Sequence, residues 1–201
     1  MKQKTSIGEM MTMNNLVLVA LVFALVWLTP TASKAKQYKY DLSGPITATS
    51  DDQLQLILSE AKRGDVVLIN LNTIGGDAYE AYDIVTAMNA SKATVAVHVD
   101  GVAYSAGFMI LLSADYVSMT KGTLLMMHTI QDAEKNRPIT QDNLHEYGNT
   151  KYLYNWMMYY LKAKGVHNKI GSKQWAHFIN GKDIYFTKEL FEQTFMSKGV
   201  R

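Results

Sequence analysis

The stretch Val66 to Leu71 is almost unbroken in apolar residues, with Gly64 before it and Gly75-Gly76 after it. A run so short and so apolar reads as a strand buried on both faces of a parallel sheet. The residues that follow change period. Ala81, Ile84, Val85 and Met88 recur at helical spacing up to about Ala90, and Thr94 to Val99 then returns to a strand pattern. An earlier helix opens at Ser50, where Ser50 and Gln53 have capping-box spacing and Leu54, Ile57, Leu58 and Ala61 form the inward face. Ser105 to Ala114 reads as a short apolar helix, and Tyr116 to Met119 and Leu124 to Met127 as short strands. Alternation of this kind predicts an α/β domain built on a parallel sheet.

Residues 131–141 are polar and contain Pro138, so they read as a loop. A long aromatic helix is predicted over Asp142 to Lys164, with Tyr152, Tyr154, Trp156, Met157, Tyr159, Tyr160 and Leu161 on more than one face. Intramolecular core and an oligomer interface, where aromatics and Met are enriched, both suit such a helix. Two short helices, near Ser172–Ile179 and Thr187–Ser197, close the chain.

The N-terminus differs from the rest. Lys2 and Lys4 precede an apolar run over residues 16–28, and Pro30 and the small-x-small triplet Ser33-Lys34-Ala35 follow. These are the three parts of a secretory signal, and the run is short for a helix crossing about 30 Å of hydrocarbon. Residues 1–35 are therefore expected to be a signal peptide cut after Ala35, or a membrane anchor, and residues 36–201 the working domain. The expected location is periplasmic or otherwise exported, or membrane-anchored through residues 16–28.

Setting aside Lys2, Lys4, Lys34 and Glu9 brings the formal charge of +2 to zero. A balanced domain gives no electrostatic ground for nucleic-acid binding. Cysteine is absent, which excludes disulfides, thiolate metal sites and a thiol nucleophile.

Sites in parallel sheets lie at the carboxyl ends of strands. Here those ends carry Gly75-Gly76, then Ser105 at the mouth of an apolar helix, then His128 directly after Leu124–Met127. Two glycines let a backbone approach a ligand closely, and N–H groups at a helix start stabilise negative charge. Each feature alone is common: a serine at a helix start usually caps it, a Gly-Gly is usually a turn, and His98, His145, His167 and His177 show that histidine is not rare here. Their succession along one sheet is the informative observation.

The segments Ile69-Asn70-Leu71-Asn72-Thr73-Ile74-Gly75-Gly76, Gly101-x-Ala103-x-Ser105-x-Gly107, Met126-Met127-His128 and Asp183-Ile184-Tyr185-Phe186-Thr187-x-Glu189 together resemble the ClpP family of serine peptidases, in order and with comparable spacing from about Tyr38 to Gly199. The resemblance implies a ClpP/crotonase-like fold of repeated β-β-α units and a homo-oligomer that cleaves peptides. It implies Ser105 as nucleophile, His128 as general base and Asp183 as the carboxylate that orients it. Gly76 and Ala106 would supply the oxyanion N–H groups, and the Gly75-Gly76 edge would pair with an extended substrate. It implies no metal and no cofactor.

The chain departs from the family at Ile74, where a proline is usual, and at Tyr104, where the residue before the serine is usually small. Thr129-Ile130 and a polar stretch stand where the family carries Gln-Pro and a glycine-rich strand that joins its rings. Export would separate the chain from ATP, so no ATPase dependence is expected. Three other readings share this core: an SppA-type peptidase with a serine–lysine pair and a base such as Lys182, a crotonase-like acyl-CoA enzyme, and a non-catalytic exported scaffold.

Overall fold

The computed structural model describes residues 34–50 and 52–196. The apolar run over residues 16–28, read above as part of a signal or anchor, lies outside them. Among the described residues no helix is long and apolar enough to cross a membrane. The compact unit that carries the candidate site begins at Ala35.

Its centre is a six-stranded sheet. Strands β1 (Gln37–Ser43), β2 (Val66–Thr73) and β3 (Thr94–Tyr104) lie side by side and parallel. Strand β3 is long enough to serve two neighbours in turn. Residues 96–99 pair with β4 (Tyr116–Met119) and residues 102–104 with β5 (Leu124–Met127), both parallel. Strand β8 (Ile184–Thr187) then closes the edge antiparallel to β5. This mostly parallel α/β architecture is the one the alternating pattern predicts.

The burial pattern corrects one expectation. Val67, Ile69 and Leu71 of β2, and Val95, Val97 and Val99 of β3, are fully buried, whereas Leu68 and Ala96 between them are only partly covered. Helices therefore cover one face of this part of the sheet, and the apolar run reflects strand preference as much as burial on both sides.

Helix α1 (Asp52–Glu60) buries Leu54 and Leu58, and α2 (Ala78–Ala90) buries Ala81, Ile84, Val85 and Met88, the predicted inward set. Asp77 starts α2 by accepting the Tyr79 N–H at 2.7 Å, which satisfies a donor that the first turn would leave orphaned. Helix α3 (Ala106–Leu111) is buried along its whole length, which explains why its sequence has no polar side.

Between residues 128 and 164 the chain differs from the sequence reading. Residues 131–141 contain a hairpin, β6 (Gln131–Asp132) against β7 (Arg137–Pro138). Asp132 Oδ1 accepts the N–H groups of Glu134 and Lys135 and holds the turn. Two-residue strands leave no period to read, and Pro138 masks the second. The aromatic helix begins later than predicted: a 3₁₀ turn at Leu144–Glu146 precedes α4 (Thr150–Ala163). Asn143 supplies the reason, since its side chain accepts the Thr140 N–H and donates to Pro138 O, bonds that compete with a helix start.

Leu153, Tyr154, Met157, Tyr160 and Leu161 of α4 belong to the core, while Tyr152 and Tyr159 are 59% and 73% exposed. Helices α5 (Val166–Lys169) and α6 (Gly171–Ile179) lead to β8, which alternates buried Ile184 and Phe186 with exposed Tyr185 and Thr187. Thr187 caps the short helix α7 (Lys188–Phe191), and a π-helical turn over Glu192–Met196 follows.

Candidate active site

The register of the sheet gathers the candidate residues at one end. Thr73 pairs with Ala103, Tyr104 pairs with Met126, and the Ser105 N–H donates to Met126 O at 2.8 Å. Residues just beyond these pairs, Gly75-Gly76, Ser105 and His128, therefore emerge together.

Thr73 Oγ1 fixes the first turn by donating to Gly44 O at 2.5 Å and accepting the Gly75 N–H at 3.0 Å. Gly75 adopts φ +91°, and a Cβ there would lie 2.7 Å from Ser105 Cβ and 2.8 Å from Tyr104 O. Only a residue without a side chain fits against the serine. At Gly76 a Cβ would collide with the Ile46 carbonyl. The bridge between Ile46 and this turn uses the Gly75 carbonyl and the Asp77 N–H, so the Gly76 N–H is left outside it.

Ser105 has φ +54° and ψ −114°. A left-handed φ is uncommon for a side chain other than Asn or Asp and costs on the order of 1–3 kcal/mol. The surroundings hold it there: the serine N–H is bonded to Met126 O, and its carbonyl accepts from Phe108 at 3.0 Å and Met109 at 3.3 Å. Its side chain makes no capping bond. The ordinary role of a serine before a helix is therefore not the one this serine plays. Ala106, the first helical residue, has no acceptor for its N–H within so short a helix.

The half-buried imidazole of His128 has its Nδ1 2.5 Å from Thr129 O. A carbonyl only accepts, so this contact is a hydrogen bond in the tautomer that carries its proton on Nδ1, the one that leaves Nε2 as the acceptor. The Gln131 amide nitrogen lies 2.9 Å from the same Nδ1 and donates to Thr129 O at 3.1 Å. Ser105, His128, Gly76 and Ala106 all line one cavity of about 440 Å³, whose other walls include Met109, Leu153, Trp156 and Met157.

Asp183 is exposed, and it is absent from the residues lining this cavity. Its Oδ2 accepts from the Tyr185 hydroxyl at 3.2 Å. The antiparallel β5–β8 ladder ends at the pair Met127–Ile184; His128 follows the first of these in the chain and Asp183 precedes the second, both outside the ladder. Among the described residues no hydrogen bond joins the His128 and Asp183 side chains. Lys182, the alternative base, is exposed and also absent from the cavity lining. Among the described residues no cluster of His, Cys, Asp and Glu suits a metal ion.

Sequence reasoning missed the Thr129 carbonyl, Gln131 and Tyr185. A main-chain acceptor carries no signal in side-chain identities. Gln131 fell within the stretch read as a loop, and Tyr185 within a strand too short to show a period.

Comparison with known proteins bears on the fold and the family. Residues 32–142, more than half of the chain, match the family model described as Clp protease. No curated protein matches the chain in sequence. Among solved structures, the ClpP protease catalytic domain from Plasmodium falciparum superposes with a TM-score of 0.59 at 16% identity, covering 98% of this chain and 91% of that one. A ClpP1 mutant from Listeria monocytogenes gives 0.56 at 16% identity, covering 79% and 87%. A mutant of the membrane-bound stomatin-specific protease 1510-N, in complex with a substrate peptide, gives 0.57 at 22% identity, covering 81% and 74%. At such identities these likenesses speak for the fold. The family model speaks for more, and the chain belongs to the Clp protease family of serine peptidases.

Proposed function

We propose that this chain is an exported or membrane-anchored serine endopeptidase that works through Ser105, His128 and Asp183, as a homo-oligomer and without an ATPase partner. The observation that carries the reading is Ser105 itself. It is held at φ +54° with no capping bond, in one cavity with the imidazole of His128.

The chemistry follows from those roles. Ser105 Oγ attacks the peptide carbonyl carbon while His128 Nε2 takes its proton. The tetrahedral oxyanion is received by the N–H groups of Gly76 and Ala106, where one lost donor costs roughly 3–4 kcal/mol in a serine protease. His128 returns the proton to the leaving amine, and water then releases the acyl group by the same path in reverse. Asp183 stabilises the imidazolium from the Nδ1 side. No lysine lines the cavity among the described residues, which favours the imidazole over a lysine base.

One experiment tests the reading. The full chain is expressed and labelled with a serine-directed fluorophosphonate, and the labelled band is fractionated and sequenced from its N-terminus. Ser105→Ala is expected to abolish labelling and His128→Ala to slow it by at least about 1,000-fold, from the size of such contributions. Undiminished labelling of Ser105→Ala refutes the nucleophile, and rapid labelling of His128→Ala favours a different base. A labelled chain that starts at Lys36, or an intact one in the membrane fraction, agrees with export or anchoring. An unprocessed soluble chain in the cytoplasm overturns it.

A further inference from the structure

Asp183 directly precedes strand β8, and Tyr185 is two residues on, within it. The register sets Tyr185 opposite Met126, and Met126 is in turn paired with Tyr104. The Tyr185 ring meets the Tyr104 ring edge-on, with centroids 6.3 Å apart at 90°, and Tyr104 directly precedes the nucleophile. From this anchored position the Tyr185 hydroxyl donates to Asp183 Oδ2 at 3.2 Å. On the other side, His128 Nδ1 lies 2.5 Å from Thr129 O, the contact of an Nδ1–H tautomer. Both halves of a carboxylate–imidazole contact are thus engaged elsewhere, although the ladder pairs the residues next to them, Met127 and Ile184.

We propose that Tyr185 is a positioning residue that restrains Asp183 in the resting peptidase, and that productive catalysis requires Asp183 to exchange the Tyr185 hydroxyl for the His128 Nδ1–H. The ladder pairs their chain neighbours, Met127 and Ile184, so the exchange is asked of side chains on adjoining segments. His128 gives up the Thr129 carbonyl for a charged acceptor, which makes the stronger bond. Tyr185 is 57% exposed, so water can take over its hydroxyl once the carboxylate leaves. The Asp183 charge and hydrogen bond hold the phenol above its ordinary pKa, so the hydroxyl remains a donor through the neutral range. Two tyrosines therefore link the segment bearing the nucleophile to the position of the carboxylate.

This inference rests on the Ser105–His128–Asp183 reading, and the test separates the two. Labelling rates with the fluorophosphonate are measured on the full chain for the wild type, Tyr185→Phe, Asp183→Asn and the double variant. Phenylalanine keeps the ring contact with Tyr104 and removes only the donor. The expected result for Tyr185→Phe is labelling about two- to tenfold faster, the range set by one modest hydrogen bond. The His128 Nδ1–H proton resonance is expected to move downfield as its acceptor changes from a carbonyl to a carboxylate. Asp183→Asn is expected to be at least about tenfold slower than wild type, and the double variant as slow as Asp183→Asn, since the gain acts through the carboxylate. Labelling of Tyr185→Phe at or below the wild-type rate, with Asp183→Asn impaired, overturns the restraint and leaves the triad standing. An equal gain from Tyr185→Phe in the Asp183→Asn background also overturns the restraint. Wild-type labelling of Asp183→Asn overturns the triad reading itself.

Discussion

Gly75 and Ser105 occupy one another's space: a methyl group on the first would lie 2.7 Å from the Cβ of the second. Gly75→Ala therefore adds a left-handed strain of about 1–2 kcal/mol and pushes against the nucleophile. Peptidase kcat/KM is expected to fall about 100-fold or more, the scale of a 1 Å displacement of a reacting group. Thermal unfolding would report a far smaller change, and an alanine variant with wild-type kcat/KM would show that this contact does not set the position of Ser105. The glycine pair and the serine were legible in the sequence as strand-end residues. The backbone angles that turn an ordinary cap position into a presented hydroxyl were not, because they arise from the bond to Met126 O and the packing of Gly75. The contact of the His128 ring was equally hidden, since its partner is the carbonyl of the next residue. Asp183 could be named from its surrounding motif, but its present hydrogen-bond partner could not.

At the scale of elements, the hairpin β6–β7 governs how the loop after His128 is held. Tyr147 donates to Asp132 Oδ2 at 2.7 Å, and Lys135 and Arg137 both bond to Glu146 Oε2, Lys135 at 3.0 Å. Ile139 N–H closes the loop on Ile130 O at 2.8 Å. The Tyr147 hydroxyl holds the Asp132 carboxyl below its ordinary pKa, and the two cations, Lys135 first, do the same for Glu146. Carboxyls with lowered folded pKa values stabilise the fold fully above their unfolded values of about 4, and that contribution is lost as the pH falls through the folded values. Amide exchange at Ile139 is therefore expected to stay slow from neutrality to about pH 5 and to lose protection, relative to the core, below about pH 4. Glu146→Gln should bring that loss to neutral pH while shifting the melting temperature by no more than about 2 °C, because these pairs are exposed. Equal protection in the variant would mean that backbone pairing alone holds the hairpin. The longer elements were readable because their apolar periods are clear, as in α2 and β3. The hairpin and the late start of α4 were not, because Asn143 and Asp132 act through bonds to main-chain groups rather than through any period.

Across the whole molecule, α4 divides its aromatic residues between two faces. One face, with Leu153, Tyr154, Met157 and Tyr160, is core. The other carries Tyr152, Asn155 and Tyr159 at helical spacing, all exposed. Tyr152 is tied back by a 2.8 Å bond to the Tyr82 hydroxyl and an edge contact between the rings, whereas Tyr159 projects with 73% of its surface free. A homo-oligomer of the proposed kind would bury Tyr159, as aromatic side chains near the centre of interfaces carry a large share of the binding energy. Tyr159→Glu places a charge at that position without touching the core or the cavity. Sedimentation velocity at micromolar concentration is expected to show the wild type as an assembly and the variant shifted toward the monomer, with Kd raised by about 30-fold or more, the effect of losing about 2 kcal/mol. A variant that sediments like the wild type would move the contact to another face, while leaving the chemistry of Ser105 and His128 to be decided by labelling.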